Sequence, residues 1–161
     1  MNLEALRIRA LTRFEGFSWV GPLAVRLSLG AVFLGTGWGK LHSLGQVTSF
    51  FTDLGIPFPA AQAALVSGVE LVGGTLILLG LFTRFAALPL MGTMVVAILT
   101  AKRPEIDGLR SLLAFEESTY LAGFLWLLVA GAGKASLDWL FFARKVELPR
   151  PLLRPRAAEQ R

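Results

Sequence analysis

Residues 60–82 read AAQAALVSGVELVGGTLILLGLF, with a single charge, Glu70, near the middle. About 20 residues of helix cross the hydrocarbon core of a bilayer, so this stretch has the length and apolarity of a membrane span. A carboxylate at that depth costs about 2.5–3.5 kcal/mol on insertion scales, which is why such a residue usually has a partner or a task. The apolar run is continuous and far longer than the roughly ten alternating residues of a barrel strand, so the span is helical.

Three more segments of the same kind surround it. The first covers 22–41, with Pro22 suited to an opening turn. Another covers 85–101, where Pro89 is expected to bend the first half. The last, 118–136, contains the run Tyr120–Ala132. Little more than Thr83 and Arg84 joins the second and third, which predicts a tight antiparallel hairpin. The expected fold is an all-α integral membrane protein, a four-transmembrane-helix antiparallel bundle over 22–142.

The ends read as interfacial. Leu3, Leu6, Ala10, Leu11, Phe14 and Phe17 recur at helical spacing with Arg7, Arg9 and Arg13 between them, so 1–21 is expected to hold an amphipathic helix on the membrane surface. It is too polar for the core of a cleavable signal peptide, and the first span is expected to act as an uncleaved anchor. Ser136 or Asp138 is placed to cap a short interfacial helix through Trp139–Val146. Residues 143–161 form a basic tail, rich in Pro and Arg from Pro149 onward and expected to stay unstructured. Two connections, 42–59 and 102–117, carry hydrophobic sets such as Phe50, Phe51 and Leu54, and Leu109, Leu112 and Leu113. Each is expected to pack as a lid over one end of the bundle.

Lys and Arg divide unequally between the two sides. Eleven belong to the termini and the 83–84 connection, against Lys40, Lys102, Arg103 and Arg110 on the other side. The excess places both termini in the cytoplasm, as expected of a multi-pass protein of a bacterial-type inner membrane.

Composition narrows the chemistry. The chain has 161 residues, 54% of them hydrophobic, with mean hydropathy +0.62. Net charge is +5, but the basic residues flank apolar segments instead of forming a stripe with aromatics. They are expected to meet membrane lipid and not nucleic acid. There is no cysteine and one histidine, His42. Haem, iron–sulfur and structural zinc sites need ligands this chain lacks, so no metal site is expected.

Arg26 is the second ionisable residue within an apolar segment, and it suggests an ion pair with Glu70. That pair has a structural reading, a bridge holding the first two spans together. It has a functional reading, a proton or head-group site between them. A third alternative is a lone, protonated Glu70 held by hydrogen bonds. Trp38 and Lys40 mark the far end of the first span, either as interfacial anchors or, for Lys40, as an inward-facing cation. His42 is the residue type that titrates nearest neutrality, although a lone histidine is more often a hydrated loop residue. Gly35 and Gly39 form a GxxxG pair, with Gly30 and Gly37 nearby, and Gly68, Gly73 and Gly74 thin the second span for close helix packing.

The order of these features resembles the DoxX family. Arg26-x-x-Leu29-Gly30, Phe33, Gly37 and Lys40-Leu41 match its first span, and Gly55-Ile56-Pro57-x-Pro59 leads into the second. Glu70-Leu71-x-Gly73-Gly74-x-Leu76 and Leu79-Gly80-Leu81-x-Thr83-Arg84 follow. A glutamate entering the last span, Glu116 or Glu117, and Gly131-x-Gly133-x-x-Ser136-Leu137-Asp138 complete the likeness. The resemblance implies a small four-helix membrane protein linked to quinone-dependent redox chemistry, with Arg26, Lys40, Glu70 and Arg84 at the family's recurrent polar positions. On that reading a quinone is held between the first two spans. Arg26 binds a carbonyl oxygen, Glu70 exchanges a proton, and Trp38 or Phe33 stacks on the ring. Electrons pass to or from a partner redox subunit. The alternatives are a non-catalytic scaffold subunit and, least favoured, a small carrier; self-association stays open.

Overall fold

The computed structural model describes residues 17–142, which are all-helical. The expected surface helix of 1–21 lies almost wholly outside them, as does the tail 143–161. Among the described residues three helices are long and apolar enough to cross a membrane: α1 (Val20–His42), α3 (Pro59–Leu79) and α4 (Thr83–Thr100). Between α1 and α3 lies α2 (Leu44–Asp53). After α4 come a 3₁₀ turn (Arg103–Glu105), α5 (Leu109–Ala114), α6 (Glu116–Ala130) and α7 (Leu137–Phe142).

Helix ends follow local chemistry. Pro59 opens α3 at its first position, where a missing N–H costs nothing. Gly80 ends it with φ +67, and two backbone bonds close the turn: Gly80 N–H donates to Ile77 O at 3.1 Å and Leu81 N–H to Leu76 O at 2.9 Å. This is a Schellman stop. The connection to α4 is thus Gly80–Phe82, and Thr83 and Arg84 already belong to α4. α4 runs on through Pro89.

The fourth expected span, 118–136, is corrected. Helix α6 starts two residues earlier and stops at Ala130, because Gly131 and Gly133 take positive φ values and turn the chain back. At 15 residues, α6 is shorter than the roughly 20 that a full crossing takes.

α1, α3, α4 and α6 share one core of Leu29, Phe33, Ile77, Ala86, Ala87, Leu90, Met94, Phe124 and Leu127. Their outward faces are apolar as well, with Leu27, Leu65, Leu88, Leu99 and Val129 all exposed. Helices that are hydrophobic all round suit a lipid exterior.

Glycines set the register of α1 against α3. A Cβ at Gly30 would meet the backbone of Leu78, one at Gly37 that of Leu71, and one at Gly74 that of Leu34. The residue numbers of each pair add to 108, as they must for two antiparallel helices in a fixed register. The Gly35–Gly39 pair takes no part in this contact, since nothing lies within 4 Å of a Cβ at either position. Spacing alone favoured Gly35 and Gly39; the interior face of α1 instead carries Gly30 and Gly37, seven residues or two turns apart.

Candidate functional site

That register decides where the two intramembrane charges go. Glu70 lies at the level of Gly37, and Arg26 faces the turn at Gly80. Eleven residues of α1 separate those levels, roughly 17 Å at 1.5 Å per residue. The Arg26–Glu70 pair expected from sequence does not form.

Arg26 is 2% exposed and spends its donors on backbone. Nε donates to Ile77 O at 3.0 Å and Nη2 to Leu78 O at 2.9 Å. Nη1 donates to Ala132 O at 3.0 Å and Ala135 O at 2.7 Å. The first two acceptors are carbonyls of the last turn of α3, where the helix dipole favours a cation; Ile77 O accepts from Gly80 N–H as well. The other two belong to the turn after α6. Close by, the Asp138 carboxylate accepts the N–H groups of Phe82 at 2.7 Å and Thr83 at 3.1 Å, which caps α4. The Asp138 N–H returns a bond to Gly80 O at 2.8 Å. Of the two capping candidates for α7, Ser136 performs that task, its hydroxyl accepting from Trp139 N–H at 3.1 Å.

At the other end, Lys40 Nζ donates to Glu70 Oε1 at 2.6 Å. The Lys40 side chain is 34% exposed and that of Glu70 3%. Glu70 Oε2 is buried and has no hydrogen-bond partner. A buried acceptor left unmade costs about 1–3 kcal/mol, more when charged, so this oxygen marks a place where a donor is wanted.

Both residues border a cavity of about 870 Å³ among α1, α2, α3, α4 and the start of α6. Phe33, Thr36, Thr93 and Tyr120 line it, and helix α2 contributes Phe50 and Phe51. Phe33 presents its ring to Tyr120 edge-on, with centroids 5.4 Å apart, and to Phe124 at 4.9 Å. Glu116 and Glu117 open α6, where the positive helix end favours acids, and both border the cavity. Tyr120 OH donates to Glu116 Oε2 at 3.2 Å, while Glu117 Oε2 is a second buried oxygen without a partner.

The structure therefore brings together Glu70, Lys40 and Phe33 and leaves out the other candidates. Trp38 is 60% exposed and packs on His42 with ring centroids 4.4 Å apart; neither borders the cavity. Arg84 lies at the Arg26 end, its Nη2 donating to Val129 O at 3.1 Å. Tyr120 and Glu117 were not singled out as site residues from sequence, although Tyr120 is the only tyrosine of the chain and the paired glutamates stand at a span entrance. Among the described residues no cluster of three or more His, Asp or Glu side chains has the arrangement of a metal site.

A family model described as DoxX matches residues 21–103, from the first turn of α1 to just past α4. The chain belongs to the DoxX family. It is 31% identical over 121 residues to the inner membrane protein YqjF of Escherichia coli, covering 75% of this chain and 92% of that one. To the uncharacterized membrane protein Rv3486 of Mycobacterium tuberculosis it is 37% identical, over 72% of this chain and 78% of the relative. A Bacillus subtilis relative named "Putative oxidoreductase CatD" is 31% identical over 52% of this chain and 60% of its own length. No solved structure matches. The matched DoxX region carries Lys40 and Glu70; the Glu117 and Tyr120 wall lies outside it. This DoxX chain is a membrane protein, on the evidence of its three apolar helices and its relatives.

Proposed function

We propose that this DoxX protein is a membrane subunit of a quinone-dependent redox system, holding a quinone head in the cavity beside Lys40 and Glu70. The observation that carries the reading is the unpartnered Oε2 of Glu70, buried beside the oxygen that pairs with Lys40, on the wall of a chamber lined by both aromatic and polar side chains. A quinone, when bound, would take up two electrons and two protons, and the quinol so formed would give them back. Lys40 would donate a charge-assisted hydrogen bond to a carbonyl oxygen, and Glu70 would hold or release a proton at Oε2. Phe33 and Tyr120 would confine the ring. Arg26, its guanidinium committed to four carbonyls, takes no part. Because the sequence has no cysteine and one histidine, a partner subunit would carry the electrons. The oxidoreductase name of the Bacillus subtilis relative points the same way.

In this reading α6 and the turn after it complete a fourth crossing, as a four-span antiparallel bundle in the bacterial inner membrane. Both termini lie in the cytoplasm, and the cavity opens toward the opposite side. A second reading, a non-catalytic assembly subunit, is favoured by the exposed Leu109 and Leu113 of α5, which would seat a partner.

The test is mass spectrometry of the gently purified full chain, reading bound quinone and co-purifying polypeptides together. We expect stoichiometric quinone, with occupancy falling about tenfold or more in Glu70→Gln, since one charged hydrogen bond contributes about 1.5–3 kcal/mol. Arg84→Gln should retain it. Partner polypeptides without quinone, in wild type and variants alike, would sink the quinone site and leave the assembly subunit.

A further inference from the structure

The end of the molecule opposite the cavity carries a groove of about 680 Å³ between the start of α4, the turn after α6 and α7. Two cations border it, Arg84 and Lys134. Arg84 leans over the C-terminal end of α6 with one bond to Val129 O. Lys134 is exposed, and among the described residues neither side chain makes an ion pair. One carboxylate, Asp138, also borders the groove, but its oxygens already accept the N–H groups of Phe82 and Thr83. Two cations against one carboxylate leave the groove one positive charge. A separate observation points to a ligand. Thr83, fully buried and on the wall of this groove, has a hydroxyl oxygen without a hydrogen-bond partner. Phe82, Phe85 and Trp139 also border the groove and are 47–74% exposed, which suits the boundary between head groups and acyl chains.

We infer that this groove binds the phosphate of an anionic phospholipid head group. Arg84 and Lys134 supply the charge, the Thr83 hydroxyl donates a hydrogen bond, and the aromatic rim meets the acyl chains. A phosphate oxygen accepts from all three groups. The rim argues for lipid over free phosphate, because a soluble anion makes no use of it. Basic pockets between membrane helices take head groups in the same way. The assignment is independent of the quinone reading, since no residue of the groove borders the cavity.

Native mass spectrometry of the full chain in neutral detergent tests it, with phosphatidylglycerol, phosphatidylcholine or inorganic phosphate added separately. We expect phosphatidylglycerol to be retained roughly tenfold better than phosphatidylcholine, with inorganic phosphate failing to displace it at equal concentration. Arg84→Gln combined with Lys134→Gln should abolish the preference, and Thr83→Val should weaken it. Glu70→Gln should leave it intact. The basic segment beyond Phe142 is unaltered in all of these, so a loss reports the groove. Should the double variant not fold, Lys134→Gln alone, at an exposed position, should still reduce the preference several-fold. Equal retention of the two lipids would overturn the site, as would a preference untouched by these substitutions. Displacement by inorganic phosphate would overturn the lipid assignment.

Discussion

Arg26 and Glu70 are equally buried, at 2% exposure each, and both lie on helices long enough to cross a membrane, yet they are treated in opposite ways. At the Arg26 end the backbone supplies four acceptors, and each guanidinium nitrogen has a partner. At the Glu70 end one oxygen is paired and the other is stranded beside a chamber. A buried charge with a partner at every polar atom is part of the architecture. One left half-made, next to empty volume, is positioned for something that arrives. The contrast marks the Arg26 bonds, from α3's C-terminal stop to the Gly131–Ala135 turn, as holding the molecule together, and the Lys40 end as the candidate site.

The most direct way to break this comparison is to remove Arg26. Arg26→Met keeps most of the volume but removes the guanidinium from the carbonyls of Leu78, Ala132 and Ala135 and leaves Ile77 O with Gly80 N–H alone. Bonds to a charged donor contribute about 1.5–3 kcal/mol each and are not additive, so we expect a loss of at least about 3 kcal/mol. Thermal unfolding in detergent, followed by tryptophan fluorescence, measures it. Quinone content of the fraction that stays folded should not change. A variant as stable as wild type would mean that the guanidinium does not hold the turn after α6.

The next largest effect concerns the α1–α3 register, which carries the two charges to their separate ends. Gly74→Leu would drive a side chain into the backbone of Leu34; overpacking of this kind costs about 1–3 kcal/mol. Gly35→Leu, with nothing within 4 Å, should stay within about 0.5 kcal/mol. Unfolding midpoints of the two variants, measured side by side, check the difference. Equal losses would mean that the outward face of α1 is itself packed against something.

Much of the architecture was legible because bilayer spans are read from length and apolarity, and three of the four expected spans lie within a few residues of their helices. The fourth was read too long, because apolarity continues past Ala130 while the backbone does not: Gly131 and Gly133 turn it. The site was half legible. Glu70 stood out as a charge in an apolar run, and Lys40 as a cation near a span end, but their partnership depends on register. Register is set by which glycines face inward, and the sequence spacing advertised Gly35 and Gly39 more loudly than Gly30, Gly37 and Gly74. Arg26 was assigned to Glu70 because charges seek opposite charges. A guanidinium is as well served by backbone carbonyls at a helix end, and those are invisible until the helix is known to stop at Leu79.

The smallest expected effect sharpens the comparison most, since it separates the two members of the Lys40–Glu70 pair. Lys40 is one-third exposed and Glu70 is not. Glu70→Gln leaves a lysine that can turn toward the head groups and stay hydrated, so its stability should change by less than about 1 kcal/mol. Lys40→Met instead strands a buried carboxylate with neither oxygen paired. Losing one partner of a buried pair costs about 3–5 kcal/mol when the survivor is sealed from water; beside an open chamber the value should fall to roughly 1–2 kcal/mol. The order Lys40→Met below Glu70→Gln in unfolding midpoint is the expected outcome, with quinone content reduced in both. The reverse order would mean that Glu70 is held by groups other than Lys40 and would return it to the architectural class occupied by Arg26. A Lys40→Met, Glu70→Gln double variant that is more stable than Lys40→Met alone would show that the single variant's cost is the stranded carboxylate and not a lost contact of the lysine stem.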